Sequence, residues 1–162
     1  MGNHNALHIL VDADACPVKD EIYKVALRHR VRVSIVSNSP FRIPADPLFE
    51  RIVVSDSFDA ADDWIADHAD GGSVVITADI LLADRCIKKG SSVLAPDGKP
   101  FTANSIGSAV ATRAIMADLR AGGDIVGGPA PFSKSDRSRF LSALDEVLVR
   151  LKRTSTSSKP AV

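Results

Sequence analysis

Cysteine is scarce in this chain. Cys16 and Cys86 stand far apart and form no Cys-x-x-Cys, which excludes a disulfide framework and a zinc ribbon and leaves both as small residues expected in the core. Net charge is missing as well: 20 Lys and Arg balance 20 Asp and Glu, so nucleic acid cannot be bound by bulk positive charge and would need a local site. Long apolar runs are absent. The longest, such as Val74–Ile76 and Ile80–Ala83, fall far short of the ~20 residues that cross a bilayer. The amino terminus carries no basic region ahead of an apolar one and no myristoylation signal, so a cytoplasmic protein without a membrane partner is expected. Gly-x-Ser-x-Gly, the dinucleotide fingerprint and Gly-x-x-x-x-Gly-Lys-Ser are all absent, which removes the commonest hydrolase, dinucleotide and nucleotide-phosphate motifs.

What is present suits one globular domain. At 162 residues, with 45 % apolar and 25 % charged, the chain can bury a single core and is not disordered in the main. The expected domain spans 1–153, and the low-complexity end, 154–162, is expected to be a disordered tail.

The first half alternates strand with helix. Leu7–Asp12 is nearly continuous apolar sequence, as in a strand buried on both faces of a parallel sheet. Pro17 suits a first helical turn, and Ile22, Val25, Ala26 and His29 recur at helical spacing. Arg32–Ser37 and Arg51–Val54 are further strands, separated by a Pro-rich connection from Pro40 to Pro47. A helix over Asp59–Ala69, a strand over Ser73–Thr77, a helix over Ile80–Lys89 and a strand over Ser91–Leu94 follow, with an Asp97-Gly98 turn after them. Two longer helices, near Ser105–Arg120 and Ser135–Lys152, complete the pattern. This order predicts an α/β fold, a three-layer α/β/α sandwich with a mostly parallel sheet.

The zero net charge hides a segregation. Residues 55–84 hold eight aspartates and no Lys or Arg, whereas residues 101–162 hold nine basic residues against five acidic ones. Asp12 and Asp14 lie just past the carboxyl end of the first strand, where open α/β sheets place their sites. Asp14 reads equally well as a helix cap. Asp12 does not, because an aspartate that continues a buried strand needs a cation or a donor beside it. Asp79 repeats the arrangement after the fourth strand; a cap is again the plain structural reading, but a parallel sheet brings Asp12 and Asp79 to one rim.

Asp59, Asp62 and Asp63 open a helix, where acids complement the dipole. They are also like-charge neighbours without a basic partner in the segment, at a cost of ~0.2–0.5 kcal/mol per pair. A divalent cation would reverse that sign, and an oxygen-only donor set without His or Cys suits Mg²⁺ or Mn²⁺. In the basic half, Lys134, Arg137 and Arg139 surround a helix start after two glycine pairs, an arrangement able to hold phosphate; an inter-helix loop capped by Ser133 or Ser135 is the simpler account. His4, His8, His29 and His68 show no ligand spacing, and Trp64 reads as core.

The segments Asp12-Ala13-Asp14-Ala15-Cys16-Pro17-Val18-Lys19, Asp59-Ala60-Ala61-Asp62-Asp63-Trp64-Ile65, Thr77-Ala78-Asp79-Ile80-Leu81-Leu82-Ala83, and Gly127-Gly128-Pro129 with Ser135-Asp136-Arg137-Ser138-Arg139-Phe140 together resemble the bacterial YaiI/YqxD family of uncharacterised proteins, over about residues 7–152. The family is grouped with PIN-like domains, whose α/β/α fold gathers acids around Mg²⁺ or Mn²⁺ for RNA cleavage. The resemblance implies Asp12, an acid of the Asp59, Asp62 and Asp63 group, and Asp79 as metal ligands. Ala78 and Leu81 depart from the Gln and Pro of the family pattern, but they flank the acid and do not replace it.

The leading expectation is a metal-dependent phosphodiesterase acting on RNA, a nuclease by resemblance. Asp12, Asp79 and Asp59 or Asp62 would hold the ion, Asp14 or Asp84 would orient groups around it, and Lys134, Arg137 and Arg139 would contact backbone phosphate. A haloacid-dehalogenase-like phosphatase is a second enzyme reading, since Asp-x-Asp after a first strand and a strand ending at Thr77 resemble its first two motifs, with Asp12 as nucleophile. It lacks a paired-acid motif after Lys88-Lys89. A non-catalytic RNA- or protein-binding module with a vestigial metal site is the third.

Overall fold

A computed structural model describes residues 7–14, 16–57, 59–108 and 132–157. Its elements in chain order are β1 (His8–Asp12), α1 (Lys19–His29), β2 (Arg32–Ser37), β3 (Phe49–Val53), α2 (Ala60–His68), β4 (Ser73–Ile76), α3 (Ile80–Ile87), β5 (Ser92–Leu94) and β6 (Pro100–Phe101). A helix α4, described over residues 103–108, and the long α5 (Lys134–Ser157) follow.

One six-stranded sheet runs in the order β3-β2-β1-β4-β5-β6. Every pairing is parallel except β5 with β6. Chain order therefore runs outward from β1 in one direction to β3 and, after a jump to β4, outward in the other. The crevice between the carboxyl ends of β1 and β4 is the switch point of the topology, where ligands bind in open α/β sheets.

β1 lacks alternation because both of its faces are covered: Ile9, Leu10 and Val11 have no exposed surface. Ile9 and Val11 face a cluster with Val33, Ile35, Val74 and Ile76 that packs on Ile22 and Val25 of α1 and on Phe140, Leu144 and Leu148 of α5. Leu10 faces the opposite cluster, with Val36, Val75 and Val93 against Ile65 of α2, Leu82 and Cys86 of α3 and Ile106 of α4. Strand period two thus sorts one chain into two helix layers around the sheet, which is the three-layer sandwich. Cys86 is fully buried in one cluster and Cys16 packs against the other, so the sheet separates the two free thiols.

Local features differ from the sequence reading at β6 and at the end of the last helix. β6 is an added antiparallel strand, made when the Asp97-Gly98 turn folds into a hairpin: Ala95 N–H donates to Lys99 O at 2.9 Å, with Gly98 at φ 90°. The last helix does not stop near Lys152 but continues to Ser157, since once a helix is long each added residue costs little. Residues 158–162, the rest of the expected tail, lie outside the described residues, as do 109–131 with the Gly127-Gly128-Pro129 segment. The start of α5 is a capping box: Asp136 N–H donates to Ser133 Oγ (3.1 Å) while Ser133 N–H donates to an Asp136 carboxylate oxygen (2.9 Å). Ser133, of the two candidate serines, is the cap.

Candidate functional site at the sheet switch point

The register places Val11 opposite Ile76, so Asp12 and Thr77 follow side by side at the carboxyl ends of β1 and β4. Thr77 is 1 % exposed. Its hydroxyl donates to Asp12 Oδ2 at 2.9 Å and accepts the Asp79 N–H at 3.0 Å. One buried side chain therefore supplies the donor that the end of a buried strand required for Asp12 and joins both predicted acids at the switch point.

Asp12 remains electrostatically uncomfortable. Burial pushes its carboxyl up to about 6, the Thr77 hydrogen bond works against this, and the charges of Asp62, Asp14 and Asp79 raise it further. Asp62 is raised too, by burial first and then by Asp79 and Asp59, against the opposing pull of Arg85. Acids 67 positions apart in sequence thus repel one another across one rim, a perturbation typical of sites built for a ligand or for chemistry.

The other predicted residues are placed as follows. Asp79 is the N-cap of α3, its Oδ1 accepting from Leu81 N–H (2.9 Å) and Leu82 N–H (3.1 Å). Both cap hydrogen bonds fall on a single oxygen, so Oδ2 takes no part in the cap. Asp14 is exposed and accepts from Ser37 Oγ at 3.2 Å at the end of β2. Asp59 sits at the N-cap position of α2 without a side-chain cap bond. Asp63 pairs with Arg85 of α3 at 3.0 Å, and Asp84 with Lys88 at 2.9 Å. The basic partner that residues 55–84 lack is therefore the residue that follows them.

In α5, the Arg137 guanidinium donates to Pro17 O (2.5 Å), lies 3.5 Å from Glu21 Oε1 and covers the Phe132 ring at 5.2 Å. It clamps the start of α5 to the loop that leaves Asp12 and Asp14. Arg139 pairs with Asp136 at 2.5 Å, and Lys134 is exposed on the first turn. Two of the three expected phosphate ligands thus carry carboxylate partners.

Among the described residues, no three His, Cys, Asp or Glu side chains stand together as a metal-ligand group. The chemistry of the donors nonetheless suits a hard cation: carboxylates only, mutually repelling, with Asp12 held from behind by a neutral hydroxyl. Thr77 and Ser37 are the hydroxyls that bond Asp12 and Asp14, and the sequence reading did not assign them. The available signal was a hydroxyl closing an apolar strand, at Ser37 as at Thr77.

Comparison with known proteins agrees with the motif reading. A family profile described as "Uncharacterized BCR, YaiI/YqxD family" matches residues 10–150. A UPF0178 protein of Sphingopyxis alaskensis is 71 % identical over 90 % of this chain and 95 % of its own. A UPF0178 protein of Bradyrhizobium diazoefficiens is 59 % identical over 90 % of this chain and 87 % of its own, and one of Rhodopseudomonas palustris 55 % identical over 93 % and 97 %. No solved structure matches the chain. The chain belongs to the YaiI/YqxD family.

Proposed function

We propose that the chain is a metal-dependent phosphodiesterase that acts on RNA in the cytoplasm. The observation that supports this most is Asp12: a half-buried carboxylate at the switch point, raised to about 6 and flanked by Asp14, Asp62 and Asp79. In this reading Asp12, Asp62 and Asp79 would hold Mg²⁺ or Mn²⁺, with Asp59 beside them on the α2 side. Such an ion, when bound, supplies Lewis acidity at a phosphoryl oxygen and lowers the pKa of its water.

The chain's own contributions follow from its geometry. Thr77 fixes the orientation of Asp12 through Oδ2. The first N–H groups of α3 fix Asp79 through Oδ1. Ser37 holds Asp14 at the open side of the rim, where it can orient an attacking water. Lys134, exposed at the start of α5, is the cation that can approach backbone phosphate, while Arg137 and Arg139 would act by holding that helix start in place.

The test is cleavage of an end-labelled single-stranded RNA with Mn²⁺, comparing the wild type with Asp12→Asn and Asp79→Asn. Loss of cleavage by at least 100-fold in both variants is the expected result, on the order of removing a metal ligand or its orienting partner. A purified protein that cuts nothing, or variants that cut as well as the wild type, would leave the non-catalytic binding module in its place.

A further inference from the structure

Beside the acidic rim lies a second feature. A cleft of about 340 Å³ opens between the β4–α3 turn, which contributes Ala78 and Ile80, and the β5–β6 hairpin, which contributes Ala95, Asp97, Lys99, Pro100 and Phe101; Ser105 of α4 also lines it. Asp79 lies between Ala78 and Ile80 in the chain, so the cleft and the acid site share a wall. The volume is in the range of small-ligand sites, ~300–1,000 Å³.

We propose that this cleft holds one nucleobase of a single-stranded nucleic acid whose phosphate lies at the acidic rim. The inference rests on the phosphodiester reading above and names the part of the substrate that the acids do not bind. Three observations favour a base over other occupants. The cleft presents an aromatic ring, Phe101, and aliphatic faces from Ile80 and Pro100, and both ring and Ile80 are only half-buried, leaving apolar surface uncovered. Flat aromatic contact of this kind is the means by which proteins hold unpaired bases with little sequence preference. Lys99 at the mouth is 84 % exposed and only loosely paired with Asp97, at 4.0 Å, so its ammonium is free to meet a phosphate. The polar groups of Ser105 are already committed to Thr102 in the cap of α4, through bonds of 2.7–3.1 Å, so nothing in that wall demands a particular hydrogen-bonding ligand. A purely apolar partner would leave Lys99 unused, and a free phosphate would leave Phe101 unused.

The hairpin turn lies close against α5. Gly98 at φ 90° packs directly on the Arg139 carbonyl of α5, which fixes the turn that carries Lys99 and leads into Phe101.

Two fluorescent single-stranded RNA oligomers test the proposal, identical except that one carries an abasic residue in place of a central base. Anisotropy titrations in EDTA measure binding where no metal-dependent cleavage proceeds. The base-bearing oligomer should bind about 5- to 20-fold more tightly, on the scale of one base stacked on an aromatic side chain. Phe101→Leu keeps an apolar side chain without the π face, and Ala78→Leu fills the cleft from an exposed position; each should abolish the preference while leaving abasic binding unchanged. Equal affinity for the two oligomers, an undiminished preference in both variants, or no binding of either oligomer would overturn the proposal. Cleavage in Mn²⁺ is scored separately. Cleavage that is indifferent to the base removes the cleft and leaves the nuclease reading, whereas base-dependent binding without cleavage removes the nuclease reading and leaves the cleft.

Discussion

The hydroxyl of Thr77 lies 2.9 Å from Asp12 Oδ2, at the seam where β1 and β4 run parallel. Because the same oxygen accepts the Asp79 N–H, one buried side chain sets the position of two acids from distant parts of the chain. Removing it should therefore be felt at Asp12 first. In Thr77→Val the shape is retained and the donor is lost, so the Asp12 carboxyl should titrate higher than about 6, and stability should fall by about 1–2 kcal/mol. Carboxyl-carbon NMR titration and urea unfolding check both; an unchanged Asp12 titration would show that the bond does not matter in solution.

Asp12 gives a pH dependence with a definite sign. Its folded value, about 6, is above the ordinary 3.8, so the folded state binds the proton more tightly. Its favourable contribution is complete below pH 3.8 and is lost as pH rises through 6. In EDTA, Asp12→Asn should thus be more stable than the wild type at pH 8, by about 1–2 kcal/mol after allowing for solvent screening of a half-buried group. The advantage should vanish at pH 3.5. Mn²⁺ should raise the Tm of the wild type by mass action and leave that of the variant unmoved.

His8, at the other end of β1, has the opposite linkage. Burial and then Arg32 lower its imidazole to about 4, against the opposing pull of Glu50 and Asp70. It bonds Ser34 Oγ at 2.8 Å, and that hydroxyl donates to Glu50 at 3.2 Å. The folded value is depressed, so stability is present above pH 6.5 and is lost as pH falls toward 4. His8→Gln should flatten that acid-side loss. Stability curves of the His8 and Asp12 variants between pH 4 and 6.5 should differ from the wild type in opposite directions; parallel curves would contradict the assignment.

Two backbone positions with positive φ predict opposite outcomes. Arg30 ends α1 at φ 55°, a left-handed conformation that costs a side-chain-bearing residue energy, so Arg30→Gly should stabilise by roughly 0.5–1 kcal/mol. Gly98 combines φ 90° with contact: a Cβ there would meet the Arg139 carbonyl carbon and oxygen at 2.8 Å and the Phe140 nitrogen at 2.9 Å. Gly98→Ala should cost about 2 kcal/mol or more, because backbone on the far side cannot give way as a flexible side chain would. Thermal melts of the two variants should move in opposite directions.

Much of the fold was legible because its signals are local. The continuous apolar run at Ile9–Val11 required cover on both faces, and the periodicity of Ile22, Val25 and Ala26 required a buried helix face; both are met. The third strand begins at Phe49, two residues before the expected Arg51, because exposed Glu50 and Arg51 beside a proline-rich loop carry no strand period. β6 leaves no signal in the sequence because two residues carry no period, and only the hairpin turn and its partner strand define it.

The candidate site divides along the same line. Sequence by itself determined that Asp12 ends a buried strand, that Asp79 follows another, and that residues 55–84 carry acids without internal cations. Those statements depend on nearest neighbours and period. Only the tertiary structure decided that Thr77 serves both acids, that Arg85 takes Asp63, that Arg137 is held by Glu21, and that His8 is tied to Ser34. Each of these depends on a distance between segments, and strand order and register set such distances while leaving no trace in local composition.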